Sequence, residues 1–115
     1  MDTTTDAQSR YNIKWIGHCT FDDSDKIWGW FSYNDPTESE SLSRDSLAYV
    51  FWARTGKTLS YKKHTSSYWN MQKLQRKKID RKYKEIAQDQ LLILWPSFFT
   101  DLDNTFIFHL LANDI

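Results

Sequence analysis

LAYVFWARTGKTLSYKK, residues 47–63, decides how the chain folds. Its first half, Leu47–Arg54, centres on Tyr49, Val50, Phe51 and Trp52, the β-branched and aromatic composition of a strand lying on a pleated, half-buried surface. Thr55-Gly56-Lys57 supplies a tight turn. Thr58–Lys63 then alternates Leu59 and Tyr61 against Thr58, Ser60 and Lys62, the period-two pattern of a second strand. Together the two runs predict an antiparallel hairpin that turns near Gly56.

Upstream, Tyr11–Phe21 sets Tyr11, Ile13, Trp15 and Gly17 against Asn12, Lys14 and Ile16, which predicts a strand with the first set on one face. Asp22-Asp23-Ser24-Asp25 reads as a turn. KIWGWFSY (Lys26–Tyr33) follows as an aromatic strand, in which Gly29 marks a bulge or a close backbone approach. Residues 1–10 read as a disordered arm, and the polar run at 34–46 as a long exposed loop. Downstream of the hairpin, Thr65 or Ser66 suits the N-cap of a helix over Ser67–Tyr83. On a helical wheel Tyr68, Met71, Leu74, Ile79 and Tyr83 share one arc, while Lys73, Lys77, Arg81 and Lys84 fill much of the other side. Lys78 and Lys82 edge the apolar arc and must extend their ammonium groups past it to reach water.

After Lys84 the chemistry changes. Glu85–Ile115 holds no Lys or Arg and five acids. Leu91–Trp95 reads as a buried run of either secondary structure, ended by Pro96. Phe98, Phe99, Leu102, Phe106 and Leu110 recur at near-helical spacing, although Phe106-Ile107-Phe108 fits a strand equally well.

Charge is distributed as unevenly as the pattern. The 115 residues carry 15 Lys and Arg and 15 Asp and Glu, yet eleven of the bases fall between Arg54 and Lys84, where Asp80 is the only acid. That segment is +10 and the remainder −10. A cationic ridge of this kind meets polyanions, and acidic flanks either mimic one or mask the ridge. The acids Asp22, Asp23, Asp25, Glu38, Glu40, Glu85, Asp89, Asp101 and Asp103 are the ones available to fold against it.

Composition narrows the class further. Six Trp, six Tyr and seven Phe against three Gly and two Pro describe one folded domain and not a low-complexity chain. Cys19 is the only cysteine, so no intramolecular disulfide forms, and a buried structural thiol is the simplest reading. MDTTTDAQSR has neither a basic start nor an apolar run of the secretory kind, and no stretch is long enough to span a bilayer, so a cytoplasmic protein without membrane attachment is expected. His18, His64 and His109 are scattered, without metal-ligand spacing, and no nucleophile or phosphate-loop motif is present. No enzyme activity, metal or cofactor is expected.

Three stretches, taken in order, resemble the WGR domain family. KIWGWFSY (Lys26–Tyr33) is similar to that family's early aromatic strand. VFWARTGK (Val50–Lys57) resembles its Trp-Gly-Arg-x-Gly signature, with Trp52, Arg54 and Gly56 matching and Ala53 in place of the first glycine. KKIDRKYKEI (Lys77–Ile86) is similar to its closing helix and Gly-Tyr step, with Tyr83 matching and Lys82 where glycine is usual. The likeness covers about residues 12–86. It implies an α+β fold, a small antiparallel sheet with one principal amphipathic helix packed across it. Residues 11–86 would form that domain, and residues 87–115 an acidic, aromatic extension packed on it. The resemblance also implies a non-catalytic domain that binds DNA in preference to RNA, of a type found alone in bacteria and phages.

Two surfaces are candidates for a partner. The first is basic and aromatic: Trp52, Arg54, Lys57, Tyr61, Lys62, Lys63, Lys73, Lys77, Arg81 and Lys84, contacting a phosphate backbone, with Trp52 or Tyr61 available to stack on a base. The bland alternative makes Trp52 core, with Arg54 fixing it and the lysines merely solvated. The second surface is Trp95, Phe98, Phe99, Asp101 and Asp103, which would suit a small phage or bacterial modulator binding a host or partner protein. The aromatic surplus also suits a homodimer face. Asp101-x-Asp103 fits the start of a helix better than a metal site.

Overall fold

A computed structural model describes residues 11–33, 48–64 and 68–113, with side chains for all of these except Tyr33, Lys63, His64, Tyr68, Trp69 and residues 107–113. The expected arm at 1–10, the loop at 34–46 and the cap at Thr65 or Ser66 lie outside the described residues.

The hairpin forms as its sequence dictates. β3 (Ala48–Arg54) pairs antiparallel with β4 (Ser60–His64), placing Trp52 opposite Ser60 and Val50 opposite Lys62. Lys57 N donates to Arg54 O at 2.9 Å across the turn, where Gly56 takes φ +77°. Glycine suits that angle because a Cβ would crowd the backbone there. β3 pairs on its other edge with β2 (Lys26–Tyr33), which pairs with β1 (Tyr11–Cys19). The two-residue β5 (Lys84–Glu85) completes an antiparallel sheet of order β4-β3-β2-β1-β5. Helix α1 (Tyr68–Asp80) lies between β4 and β5, and α2 (Gln88–Leu94) and α3 (Phe98–Asn113) follow β5. The class is α+β, as the sequence implies.

Alternation along β2 and β3 sorts side chains onto two faces. Ile27, Phe31, Tyr49 and Phe51 join Tyr11, Ile16 and Leu59 on one face. Leu91, Trp95, Phe98, Phe99, Leu102 and Phe106 from α2 and α3 cover it. Trp15, Trp28, Trp30, Ala48 and Val50 lie on the other, under Met71 and Leu74 of α1 and under Tyr83. The C-terminal helices and the basic helix therefore sit on opposite sides of the sheet.

Three sequence expectations are corrected, and one open alternative is settled. Tyr11, Ile13, Trp15 and Gly17 do not share a face. Lys14 is an extra residue in β1, so Ile13 opposes Phe31 while Trp15 already opposes Trp30. This bulge carries Trp15 to the α1 side and returns Ile16 to the α3 side. Phe106-Ile107-Phe108 is helical, inside α3. The run Leu91–Trp95 is not buried throughout, because helical geometry turns Ile93 and Leu94 outward while Leu91 and Trp95 stay in the core. Finally, α1 ends at Asp80 rather than Tyr83, and Ile79 is exposed.

The end of α1 has a specific cause. Tyr83 N donates to Lys78 O and Lys82 N to Ile79 O, both at 3.0 Å. This 6→1 and 5→2 pattern is a Schellman motif, and it requires the left-handed conformation that Lys82 adopts at φ +75°. A Cβ there costs about 1 kcal/mol. Lys82→Gly is therefore expected to raise the unfolding free energy by about 0.5–1 kcal/mol. Chemical denaturation would show a higher midpoint at unchanged slope. An equal or lower midpoint would contradict the strain argument.

Two acids of the C-terminal segment serve the core. Asp101 accepts from Trp95 Nε1 at 2.8 Å and from Ser97 Oγ at 2.9 Å, and Asp103 accepts from the Tyr11 hydroxyl at 2.7 Å. Each satisfies a donor that burial of its ring would otherwise strand.

Candidate nucleic-acid interface

The alternation that builds the sheet also collects cations. On the α1 face Trp28 stands directly opposite Trp52, Lys26 opposite Arg54, and Val50 opposite Lys62. Helix α1 covers this face above Trp30, whose indole N–H donates to Gln75 Oε1 at 3.0 Å, and packs Met71 against it. Toward the far ends of β2 and β3 the helix leaves an open groove of about 660 Å³. Trp28, Val50 and Trp52 form its floor, and Lys26, Arg54 and Lys62 its sheet-side wall. Leu74, Lys78, Arg81 and Tyr83 form the helix-side wall.

Five cations border this groove and no acid does. Like charges placed directly opposite on adjacent strands, as Lys26 and Arg54 are, work against the sheet. Among the described residues no carboxylate pairs with Lys26, Arg54, Lys62, Lys78 or Arg81, and Asp25, the acid nearest them in the turn, is engaged by His18. Asp25 accepts from His18 Nε2 and Thr55 Oγ1, both at 2.8 Å, and its own carbonyl accepts from Thr55 N at 2.9 Å. It thus ties the β1–β2 turn to the β3–β4 turn. These two side-chain bonds, the one from His18 first, hold its carboxyl below the usual range. Asp101 and Asp103 are occupied beyond the sheet. Glu38 and Glu40 lie outside the described residues. No described carboxylate therefore forms an ion pair with a cation lining the groove, although the Arg54 charge does act on Asp25 and helps to lower its carboxyl.

Lys78 is the most constrained of the five. Its Nζ lies 5.7 Å from the centre of the Trp28 ring and 5.4 Å from that of Tyr83. Ring faces attract the ammonium, by about 0.5–1 kcal/mol each at exposed sites. Burial nevertheless pushes the Lys78 amine below the ordinary lysine range, and the nearby Arg81 and Lys26 push it the same way. An incoming anion would relieve that charge crowding. Burial also raises the Tyr83 phenol above its usual range, so the ring stays neutral at physiological pH. A smaller depression of about 270 Å³ adjoins the groove, sharing Lys26, Lys78, Arg81 and Tyr83 and adding Cys19, Phe21, Asp22 and Ser24.

Of the residues the sequence nominated, Trp52, Arg54, Lys62 and Arg81 come together here. Tyr61 does not. Alternation in β4 sends it to the opposite face, where its ring lies 5.3 Å from that of Phe106. Lys57 sits exposed at the hairpin turn, and Lys73, Lys77 and Lys84 are exposed outside the groove lining. The side chain of Lys63 lies outside the described residues. Lys26, Trp28, Lys78 and Tyr83 were not nominated. The available signal was the basic residue on the edge of an apolar arc at Lys78, since a lysine so placed must lie along whatever the helix covers. The second surface does not form as expected: Trp95, Phe98 and Phe99 are core residues, and Asp101 and Asp103 are half-buried beneath them. Their large rings fill the space between sheet and helices, which leaves none of them for a partner.

Cys19 is buried, its thiol 3.8 Å from the Arg81 carbonyl. Among the described residues no three His, Cys, Asp or Glu side chains gather in a way that would hold a metal, and no helix is long and apolar enough to cross a membrane. The chain matches no family model, no curated protein and no solved structure.

Proposed function

We propose that this protein is a non-catalytic nucleic-acid-binding module, with DNA as the favoured ligand, which holds the phosphate backbone in the groove between α1 and the ends of β2 and β3. One observation carries the reading: five cations line a tryptophan-floored groove without a carboxylate among them. Clustered like charge lowers stability, so its accumulation at one place suits a polyanion that neutralises it. Trp52 and Arg54, the two residues that most resemble the WGR signature, lie side by side in this lining. That supports the preference for DNA.

Contacts to about five phosphates imply a slope of log K against log salt near −3.5 for a single strand and −4.5 for a duplex. Affinity should then fall about 100-fold or more between roughly 50 and 200 mM salt. The test is fluorescence anisotropy of a labelled oligonucleotide across that range. Wild type is compared with Arg54→Glu/Arg81→Glu and with Lys14→Glu, which reverses an exposed charge on β1 outside the groove. The double variant should bind at least about 30-fold more weakly with a shallower slope, while Lys14→Glu should match wild type. Both arginines are exposed and pair with no described carboxylate, so the variant should stay folded, as thermal unfolding would verify. Absence of binding at low salt, or equal affinity in the double variant, would refute the proposal.

A further inference from the structure

The groove and the adjoining depression form one trough, because Lys26, Lys78, Arg81 and Tyr83 line both. An aromatic ring stands open to solvent at each end. Trp52 is 41% exposed at the groove end, and Phe21 is 62% exposed at the other. They are the two exposed aromatic side chains among those described, and both border the trough; the exposed aliphatics Ile79, Ile93 and Leu94 do not. A large ring left in water is unremarkable alone. Two such rings, one in each part of a cationic channel, where the other described aromatic side chains are buried wholly or in part, form a pattern that core packing does not require.

We infer that the trough is built for an unpaired strand, with one base stacked on Trp52, another on Phe21, and the intervening phosphates along Lys26, Lys78 and Arg81. This rests on the nucleic-acid reading above. A duplex offers its phosphates to such a channel but keeps its base faces stacked inside, so neither ring would find a partner along its length. An unpaired strand offers both, and stacking on aromatic side chains tolerates any base because each has a flat face. Asp22 lines the Phe21 end and disfavours phosphate there, which leaves that end to a base. The charge at the centre and the rings at the ends therefore have separate roles: the first sets affinity for any polyanion, the second distinguishes exposed bases.

Three probes of equal length separate these contributions: an oligothymidine, the same backbone carrying abasic residues, and a blunt duplex. Wild-type protein should bind the oligothymidine at least about tenfold more tightly than either of the others at matched salt. Phe21→Ala and Trp52→Ala should each bring the ratio of oligothymidine to abasic affinity down by about fivefold or more, and the double variant should bring it close to one. Both side chains are exposed, so thermal unfolding should show either variant folded. Equal, salt-sensitive binding of all three probes would overturn the unpaired-strand assignment while leaving the electrostatic reading intact. A ratio that responds to Trp52→Ala but not to Phe21→Ala would overturn the two-ended trough. Failure of every probe to bind at low salt would overturn both.

Discussion

Phe106→Ala is expected to lower the unfolding free energy by about 3–5 kcal/mol, a large share of the roughly 5–15 kcal/mol that holds a domain folded. The ring is fully buried at the point where α3 meets the sheet. Its centroid lies 5.9 Å from Tyr11, 5.6 Å from Phe31, 4.7 Å from Tyr49 and 5.3 Å from Tyr61, with near-perpendicular or steeply inclined rings in each pair. Edge-to-face pairs add to area burial, and truncation forfeits them together with the transfer term. It also opens a cavity that four large rings joined to a hydrogen-bonded sheet cannot collapse to fill. Urea unfolding would show the midpoint falling at unchanged slope. Phe106→Leu, which keeps most of the volume, should recover about half of the loss. A cost below about 1 kcal/mol for alanine would mean that α3 is not seated on these rings.

Gly29→Ala should cost about 1–3 kcal/mol and lower Tm by about 5–15 °C. Gly29 lies in β2, between β1 and β3. A Cβ there would fall 2.4 Å from Phe51 Cζ and 2.6 Å from the Trp15 carbonyl oxygen. Neither neighbour retreats easily. Phe51 is fully buried against Phe31 and Phe98, and Trp15 belongs to a strand paired on both edges. Adding a methyl to a strand glycine usually gains a few tenths of a kcal/mol in entropy, so the sign itself tests the close approach. Thermal unfolding of the variant at or above the wild-type midpoint would show that the strands have room. Any shift of β2 would also displace Trp28, so weakened oligonucleotide binding should accompany the loss.

The strands were legible because alternation and turn chemistry are local. LAYVFWAR, Thr55-Gly56-Lys57 and KIWGWFSY each hold their structure within a few residues. The basic ridge was legible for the same reason, as a property of composition along the chain. Side-chain direction was not. One extra residue at Lys14 reverses every position after it, and nothing in the period marks where the reversal occurs. Tyr61 left the basic set and Lys26 joined it because partnership across strands decides which residues are neighbours. Trp95, Phe98 and Phe99 were one of two candidate partner surfaces, yet they fill the core, since only the assembled sheet shows that one of its faces needs covering.

The sequence by itself determined the hairpin, the position of the one strongly basic helix and the separation of charge between the middle of the chain and its flanks. Those follow from propensity, periodicity and composition, which act between residues close in the chain. Only the tertiary structure decided that the C-terminal helices and the basic helix take opposite sides of the sheet, and that Lys26, Arg54, Lys62, Lys78 and Arg81 converge over Trp28 and Trp52. Convergence depends on register, on a bulge and on where a helix stops. Those are set by which surfaces can be buried together, a condition satisfied by the whole chain at once.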